Sequence, residues 1–189
     1  MSRQGFTSGP EEPFIDRPIA LVGMMGAGKS TIGRRLAARL DLSFVDADHE
    51  IEKAAGRSVA EIFEEFGEAA FREGERRVFK RLVNAGPCVL ATGGGAFLDP
   101  EIRGLLGTHC VSVWLNANLD TLVERTSRKN TRPLLRNGDP REILAKMLAE
   151  RGPVYAGADI EIESGIGPHQ EVVDNILEAL ADLAASGAA

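Results

Sequence analysis

A glycine-rich segment near the start of the chain constrains the fold more than any other part of the sequence. Residues 23–30 read Gly-Met-Met-Gly-Ala-Gly-Lys-Ser and fit the pattern G-x-x-x-x-G-K-[ST]. An apolar run at 19–22 precedes them and predicts a buried strand. After them, Ile32, Leu36 and Leu40 share one face of a predicted helix. A strand, a glycine loop and a helix N-terminus in this order predict a polyphosphate site, because backbone N–H groups and the helix dipole face an anion there.

The side chains of this loop suit a nucleotide that is bound with a metal ion. Lys29 is expected to contact the β- and γ-phosphates, and the Ser30 hydroxyl is expected to bind Mg²⁺. A chance match in a chain with 21 glycines is the alternative, and the flanking strand and helix patterns disfavour it. The other residues expected to hold the nucleotide are Gly26, Ala27, Gly28 and Thr31.

The overall composition limits the classes of partner. Of the 189 residues, 43% are hydrophobic and 26% are charged, which is typical of one soluble globular domain. A net charge of −6 and an isoelectric point near 5.2 argue against a nucleic-acid-binding surface. The apolar stretches are too short to span a membrane, and residues 1–18 do not have the apolar core of a signal peptide. We therefore expect a protein that binds neither nucleic acid nor membrane.

The cysteines and histidines indicate a reducing compartment and no metal site of the zinc type. Cys88 and Cys110 lie at or beside predicted strands, where buried thiols of a cytoplasmic protein are expected. His49, His109 and His169 are scattered and do not have the spacing of metal ligands, so we assign them no role.

Strands that alternate with helices predict an α/β fold. Residues 1–16 are predicted to be a disordered arm, and residues 17–189 a single domain. Helical sequence separates each predicted strand from the next, so right-handed crossovers should build a parallel sheet with helices on both faces. The five predicted strands are Ile19–Val22, Ser43–Asp46, Cys88–Thr92, Val111–Leu115 and Ile160–Glu163.

Three later helices are predicted. Ser58 and Glu61 form a capping box ahead of an apolar face. A long helix is predicted from near residue 68 to residue 84, because Gly86-Pro87 follows. The last helix is predicted at about 169–185.

A basic segment at residues 125–139 stands out in an otherwise acidic chain. It carries five cations within twelve residues. A solvated basic face is one interpretation. In a protein with a phosphate loop, the segment also fits a mobile lid that closes arginines over the phosphates.

Two segments follow predicted strands at the edge where parallel sheets bind ligands. The second strand ends in Asp46-Ala47-Asp48, where one carboxylate can hold Mg²⁺ through water while the other meets a substrate hydroxyl; solvated carboxylates are the alternative. After the third strand come Gly93, Gly94 and Gly95, which suggest either a ligand against bare backbone or a flexible turn. This strand does not end in the acidic residue typical of motor ATPases and GTPases, so those classes are disfavoured.

Taken together, the motifs resemble the shikimate kinase family over about residues 18–180. The family order is G-x-x-G-x-G-K-[ST], D-x-D, F-R-x-x-E, T-G-G-G, R-P-L and R-x-P-x-Y. Here these motifs occupy 23–30, 46–48, 71–75, 92–95, 132–134 and 151–155. The resemblance implies transfer of the ATP γ-phosphate to the 3-hydroxyl of shikimate, with Mg²⁺, in the pathway to chorismate and aromatic amino acids. It also implies a P-loop fold of the nucleoside-monophosphate-kinase type, with a five-stranded parallel sheet and a lid.

The resemblance assigns the acceptor side of the site. It gives Arg72 and Arg151 to the substrate carboxylate, which suits the two parallel hydrogen bonds that a guanidinium can donate. Glu75, one helical turn past Arg72, is expected to hold that arginine in place. Surface ion pairs are the alternative for each arginine. The residues expected to bind the ring hydroxyls are Asp48, Gly93, Gly94 and Gly95.

The resemblance also assigns the nucleotide side. Lys29, Asp48 and Arg132 are the implied catalytic residues, with Arg132 reaching the transferred phosphoryl group from the lid. Ser30 and Asp46 are the implied metal site, with Asp46 acting through water. The family usually ends its last strand in Asp and often has a basic residue in the adenine loop, whereas this chain has Glu163 and no base there. Arg125 and Pro168 are the residues expected to sandwich the adenine.

Other functions remain possible at the level of sequence. A gluconate kinase of the same fold also recognises a hydroxylated carboxylate. A nucleoside-monophosphate kinase is disfavoured because no base-reading segment accompanies the P-loop. A non-catalytic nucleotide-binding module should have lost Lys29, Asp48 or Arg72, and all three are present. We expect a monomeric shikimate kinase.

Overall fold

A parallel five-stranded sheet organises the chain. The computed structural model describes residues 16–127, 138–165 and 167–187. Within these residues the strand order is β2-β3-β1-β4-β5, and all four neighbouring pairs are parallel. The strands are β1 (Ile19–Val22), β2 (Ser43–Asp46), β3 (Cys88–Ala91), β4 (Val111–Asn116) and β5 (Ile160–Glu163).

Helices cover the sheet, as parallel strands require. A short 3₁₀ turn at Ala96–Leu98 follows β3. The helices are α1 (Lys29–Arg39), α2 (Ala47–Ala55), α3 (Val59–Leu82), α4 (Pro100–His109), α5 (Leu119–Ser127), α6 (Pro140–Tyr155) and α7 (His169–Gly187). Among the helices of the described residues, none combines the length and apolar character needed to cross a bilayer.

The central strand explains where the site lies. Every side chain of β1 is fully buried, and β1 pairs with β3 on one side and β4 on the other. The chain first builds β2 and β3 on one side of β1 and later builds β4 and β5 on the other. Ligands of open α/β sheets bind where the strand order reverses in this way, at the carboxyl edge. The loop at residues 23–28, which follows β1, occupies that position.

Helix α3 is kinked at a glycine. Ser58 caps it, and the Glu61 carboxylate accepts from the Ser58 backbone N–H at 2.7 Å, which completes the predicted capping box. Gly67 has φ 79° and ψ 174°, a backbone conformation that residues other than glycine rarely adopt. The kink therefore separates a first helical segment from the long one that was predicted to begin near residue 68.

The predicted strands and fold class are confirmed, with small shifts of boundary. Strand β3 ends one residue earlier than expected, at Ala91, and β4 extends one residue further, to Asn116. Cys88 and Cys110 are buried thiols, as expected. Residues 1–15 of the predicted arm and 128–137 of the predicted lid lie outside the described residues.

Candidate active site

The loop between β1 and α1 has the backbone of an anion site. Gly23, Gly26 and Gly28 have φ of +130°, +85° and +98°, which turns the successive peptide groups of the loop. At Gly23 a Cβ would lie 2.8 Å from the Leu115 carbonyl oxygen, so the close fit to β4 also requires glycine. Gly28 is the N-cap of α1 and brings no side chain to cover the first N–H groups of that helix.

Lys29 lies over this loop. Its Nζ donates to the carbonyl oxygens of Gly23 at 2.7 Å and Met24 at 2.9 Å. These contacts hold the ammonium group beside the backbone that faces the cleft. A phosphate bound by the loop would therefore meet a positive charge already in place.

Ser30 and Asp46 meet at the mouth of the loop. The Ser30 hydroxyl donates to Asp46 Oδ2 at 3.0 Å, and Asp46 Oδ1 accepts from the Asp48 backbone N–H at 3.2 Å. Oxygen ligands of this kind suit Mg²⁺, which usually keeps several waters and takes phosphate oxygens for the rest of its shell. The described residues contain no cluster of three or more His, Cys, Asp or Glu side chains that could hold a metal ion.

Asp48 occupies a different element from the one expected. The sequence placed it at the frayed end of a strand, whereas it lies in the first turn of α2, with Asp46 as the N-cap. Burial is the main reason that its pKa lies above the ordinary value, and the Asp46 carboxylate adds to the effect. The charges of Lys29 and Arg72 act in the opposite direction. The carboxylate therefore lines the cleft from an exposed residue, where Asp46 disfavours its charged form and Lys29 and Arg72 favour it.

Arg72 is held by two carboxylates of its own helix. Its Nη1 donates to Glu75 Oε2 at 2.7 Å, and its Nη2 lies 3.4 Å from Glu68 Oε1. The Glu75 side chain is only 2% exposed. Burial raises the pKa of Glu75, and the Arg72 charge opposes that rise. The predicted support of Arg72 by Glu75 is thus present in the structure.

The three glycines after β3 are close to protein side chains as well as to the cleft. A Cβ on Gly93 would lie 2.5 Å from Asp48 Oδ1, and one on Gly95 would lie 3.0 Å from Arg72 Nη2. The carbonyl of Gly94 accepts from the Tyr155 hydroxyl at 2.5 Å and from Arg151 Nη1 at 3.4 Å. The run of glycines therefore lets the acceptor-side groups approach bare backbone.

Arg125 joins the phosphate loop to the loop after β5. Its Nη1 donates to the Ala27 carbonyl at 3.3 Å, and its Nη2 donates to the Gly165 carbonyl at 2.5 Å. The Ser164 hydroxyl also donates to the Ala27 carbonyl, at 2.7 Å. Pro168 is exposed just before α7. Contacts of Arg125 and Pro168 with adenine remain predictions, and Arg132 lies outside the described residues.

These groups line one cleft of about 710 Å³. It brings together the predicted phosphate-binding, metal-binding and acceptor residues that the structure describes, with the exception of Ala27 and Pro168, which do not line it. Sequence reasoning missed Phe63 and Phe71 as cleft residues; their rings are tilted by 33° with centroids 4.5 Å apart. It also missed His169 at the start of α7, whose pKa is lowered by burial and by the nearby Arg125 and Arg35. Phe71 lies inside the F-R-x-x-E motif, so that signal was available.

The arrangement joins two kinds of recognition. One end of the cleft has a glycine loop with the Lys29 ammonium group and the Ser30 hydroxyl, which suit phosphate oxygens and a metal ion. The other end has two arginines, the Asp48 carboxylate and bare glycine backbone, which suit a small hydroxylated carboxylate. The chemistry that such a cleft supports is phosphoryl transfer from a nucleotide to a hydroxyl group.

Comparison with known proteins also supports phosphoryl transfer. Residues 25–181 match the family model described as shikimate kinase. The shikimate kinase of Caulobacter vibrioides is 53% identical over 168 residues, which cover 89% of this chain and 84% of that protein. The structure of shikimate kinase from Acinetobacter baumannii in complex with shikimate superposes with a TM-score of 0.83 at 38% identity, covering 88% of this chain and 93% of that one. A gluconokinase from Sinorhizobium meliloti, 19% identical with a TM-score of 0.58 over 90% of this chain and 94% of its own, shares the fold.

Proposed function

Because this chain belongs to the shikimate kinase family, we propose that its cleft transfers the γ-phosphoryl group of ATP to the 3-hydroxyl of shikimate. The product, shikimate 3-phosphate, serves the biosynthesis of chorismate and aromatic amino acids. The observation that carries the assignment is the acceptor end of the cleft, where Arg72, fastened to the buried Glu75, faces the glycine backbone beside Asp48.

The nucleotide end binds and neutralises the phosphates. Backbone N–H groups of residues 26–31 hold the phosphate oxygens, and Lys29 places its charge on the β- and γ-phosphates. Ser30 would hold a Mg²⁺ ion directly and Asp46 would hold it through water; such an ion would neutralise charge on the phosphate oxygens. Because the transition state of phosphoryl transfer is loose, this electrostatic stabilisation contributes most of the rate.

The acceptor end orients the substrate. Arg72 and Arg151 bind its carboxylate, and the backbone of residues 93–95 binds ring hydroxyls together with Asp48. Glu75 keeps the Arg72 guanidinium in one orientation, so less side-chain entropy is lost when the carboxylate binds. The neighbouring rings of Phe63 and Phe71, which line the cleft, give this end an apolar wall against the carbon ring.

Asp48 receives the proton of the reacting hydroxyl. In a loose transition state the acceptor oxygen is barely bonded to phosphorus, so the proton leaves late and a moderately basic carboxylate is sufficient. Desolvation by the surrounding protein atoms raises the pKa of Asp48, which makes the carboxylate more basic and favours proton transfer. Asp48 has to be ionised to accept the proton, and the neighbouring Lys29 and Arg72 favour that form.

The remaining assignments follow the same proposal. Arg132 approaches the transferred phosphoryl group from the segment 125–139, which acts as a lid and excludes water as a competing acceptor. Arg125 and Pro168 enclose the adenine, and residues 17–189 form one kinase domain. The enzyme works as a monomer in the cytoplasm, where the two buried thiols stay reduced. Light scattering of the purified protein tests whether it is a monomer in solution.

A coupled assay of ADP release tests the activity. Purified protein with MgATP is given shikimate, gluconate, AMP or no acceptor. We expect turnover with shikimate to exceed the other three, with a product of the mass of shikimate 3-phosphate. Faster turnover with gluconate or AMP contradicts the proposal, and equal ADP release without an acceptor contradicts kinase activity toward small molecules altogether.

A further inference from the structure

The carbonyl of Gly94 accepts a hydrogen bond from a buried tyrosine. Tyr155, at the end of α6, is completely buried and packs against Phe97 and Trp114, with ring centroids 6.4 and 6.1 Å away. Its hydroxyl donates to the Gly94 carbonyl at 2.5 Å. Burial raises the pKa of Tyr155 more than the Arg151 charge lowers it, so the hydroxyl remains a donor at neutral pH.

This hydrogen bond lies between the nucleotide end and the acceptor end of the cleft. Gly94 is the middle glycine of 93–95, and a Cβ there would lie 3.5 Å from the Met25 backbone nitrogen of the phosphate loop. The C=O of one residue and the N–H of the next point in opposite directions across a trans peptide. A hydroxyl that fixes the Gly94 carbonyl therefore also fixes the Gly95 N–H, beside the Arg72 guanidinium.

The same carbonyl is within reach of Arg151. Arg151 and Tyr155 are four residues apart on α6 and so lie on the same face of the helix. Arg151 Nη1 is 3.4 Å from the Gly94 oxygen, a long contact, whereas the Tyr155 hydroxyl makes the short one. If the hydroxyl were removed, this partly buried carbonyl would lose its nearest donor, and the Arg151 guanidinium is the donor that remains within reach of it.

We propose that Tyr155 is a positioning residue of the acceptor site, whose hydroxyl orients the Gly94–Gly95 peptide and keeps the Arg151 guanidinium available for the substrate carboxylate. The proposal rests on the proposed function, since it presumes that Arg151 binds the acceptor. Packing alone does not require the hydroxyl, because a phenylalanine would fill nearly the same volume between Phe97 and Trp114.

Tyr155→Phe separates this role from simple packing. We expect the KM for shikimate to rise about 10-fold, the size of one lost hydrogen bond to an oriented group, while the KM for ATP stays within about twofold. The Arg151→Ala,Tyr155→Phe double variant should have the shikimate KM of Arg151→Ala alone, because the tyrosine acts through the arginine. Ser112→Ala is the matched control, since it removes a buried hydroxyl that donates to Asp159, away from the cleft. It should lower the melting temperature and leave both KM values unchanged.

A spectroscopic measurement on the unaltered fold complements the variant. Tyr155 is the single tyrosine of the chain, so biosynthetic 3-fluorotyrosine places one fluorine label at this position. We expect its ¹⁹F resonance to shift when shikimate is added, and to shift less when ADP is added alone.

The outcomes are distinct. If the wild-type enzyme does not phosphorylate shikimate, the proposed function fails and this role fails with it. If the wild type is active and Tyr155→Phe keeps its shikimate KM, only the role of Tyr155 is overturned. Equal increases in both KM values, additive effects in the double variant, or a ¹⁹F signal indifferent to shikimate also overturn it.

Discussion

The carboxylate of Asp48 lies directly against the backbone of Gly93, with Oδ1 only 2.5 Å from the position that a Cβ on residue 93 would take. The two residues belong to different elements, since Asp48 is in the first turn of α2 and Gly93 follows β3. Their contact joins the proposed proton acceptor to the backbone that is proposed to bind the substrate hydroxyls. A side chain as small as a methyl group at residue 93 would have to displace the carboxylate.

Gly93→Ala should therefore disable the acceptor site. The backbone of Gly93 is not in the left-handed region, so the cause is the displaced Asp48 rather than backbone strain. We expect kcat/KM for shikimate to fall roughly 100-fold, because misplaced catalytic groups commonly cost this much. Steady-state kinetics and ADP titration check the result, and ADP affinity should be retained. Gly104→Ala in α4 is the control, since a Cβ there meets nothing within 4 Å. Equal activity of the two variants would contradict the prediction.

Arg72→Ala and Arg151→Ala should each weaken shikimate binding. Truncating one partner of a desolvated charge pair costs about 2–5 kcal/mol, because the carboxylate is left without its guanidinium. Isothermal titration with shikimate measures the loss, and ADP affinity should change little. Arg77→Ala on the exposed face of α3 is the matched control. A variant that loses nucleotide affinity but keeps shikimate affinity contradicts the carboxylate assignment for that arginine.

Asp48→Asn and Asp46→Asn should differ in their response to magnesium. Asp48→Asn removes the proton acceptor, so kcat should fall by roughly 100-fold or more while MgADP affinity stays near that of the wild type. Asp46→Asn weakens the water-mediated hold on Mg²⁺, so it should need more Mg²⁺ for half-maximal rate and recover part of its activity at high Mg²⁺. Magnesium titrations of kcat check both. Rescue of Asp48→Asn instead would mean that the two roles are exchanged.

The raised pKa of Asp48 predicts a cost in stability at neutral pH. Its pKa lies above the ordinary value of 3.8 because of burial and the nearby Asp46. The folded protein therefore binds this proton more tightly than the unfolded chain does. The corresponding stabilisation is complete below pH 3.8 and is lost as the pH rises through the raised pKa. At pH 7 Asp48→Asn should thus melt at a higher temperature than the wild type, although it is inactive.

Thermal melts of the two proteins between pH 4 and pH 7 check this prediction. The advantage of Asp48→Asn should shrink as the pH falls, because the wild-type carboxyl becomes neutral as well. Glu178→Gln on the exposed face of α7 serves as the control and should show no such trend. A difference in melting temperature that is constant with pH would be inconsistent with a strained, ionised Asp48.

Local patterns were sufficient to predict most of the secondary structure. Strands β1, β2 and β5 begin and end at the predicted residues. The apolar run of β1 is buried throughout, and the alternating Ile and Glu residues of β5 are buried and exposed in turn, as a strand requires. The capping box at Ser58 is likewise a contact between near neighbours. The prediction for Asp48 was wrong in its element. Asp46 both ends the strand and caps the following helix, so the helix begins at once. The spacing of the residues does not distinguish this arrangement from a frayed strand end.

The sequence by itself therefore determined the parallel α/β fold and the glycine loop between β1 and α1, since both depend on patterns among residues within a few positions of one another. Only the tertiary structure decided which residues that are distant in sequence contact one another in the cleft. Tyr155 reaches Gly94 across 61 residues of chain, and Arg125 reaches Ala27 across 98. Such contacts follow from the strand order β2-β3-β1-β4-β5, which brings the ends of β1, β3 and β4 together. Long-range packing of this kind leaves no periodic signal in the sequence, because the two partners are selected for their position in space and not for their spacing.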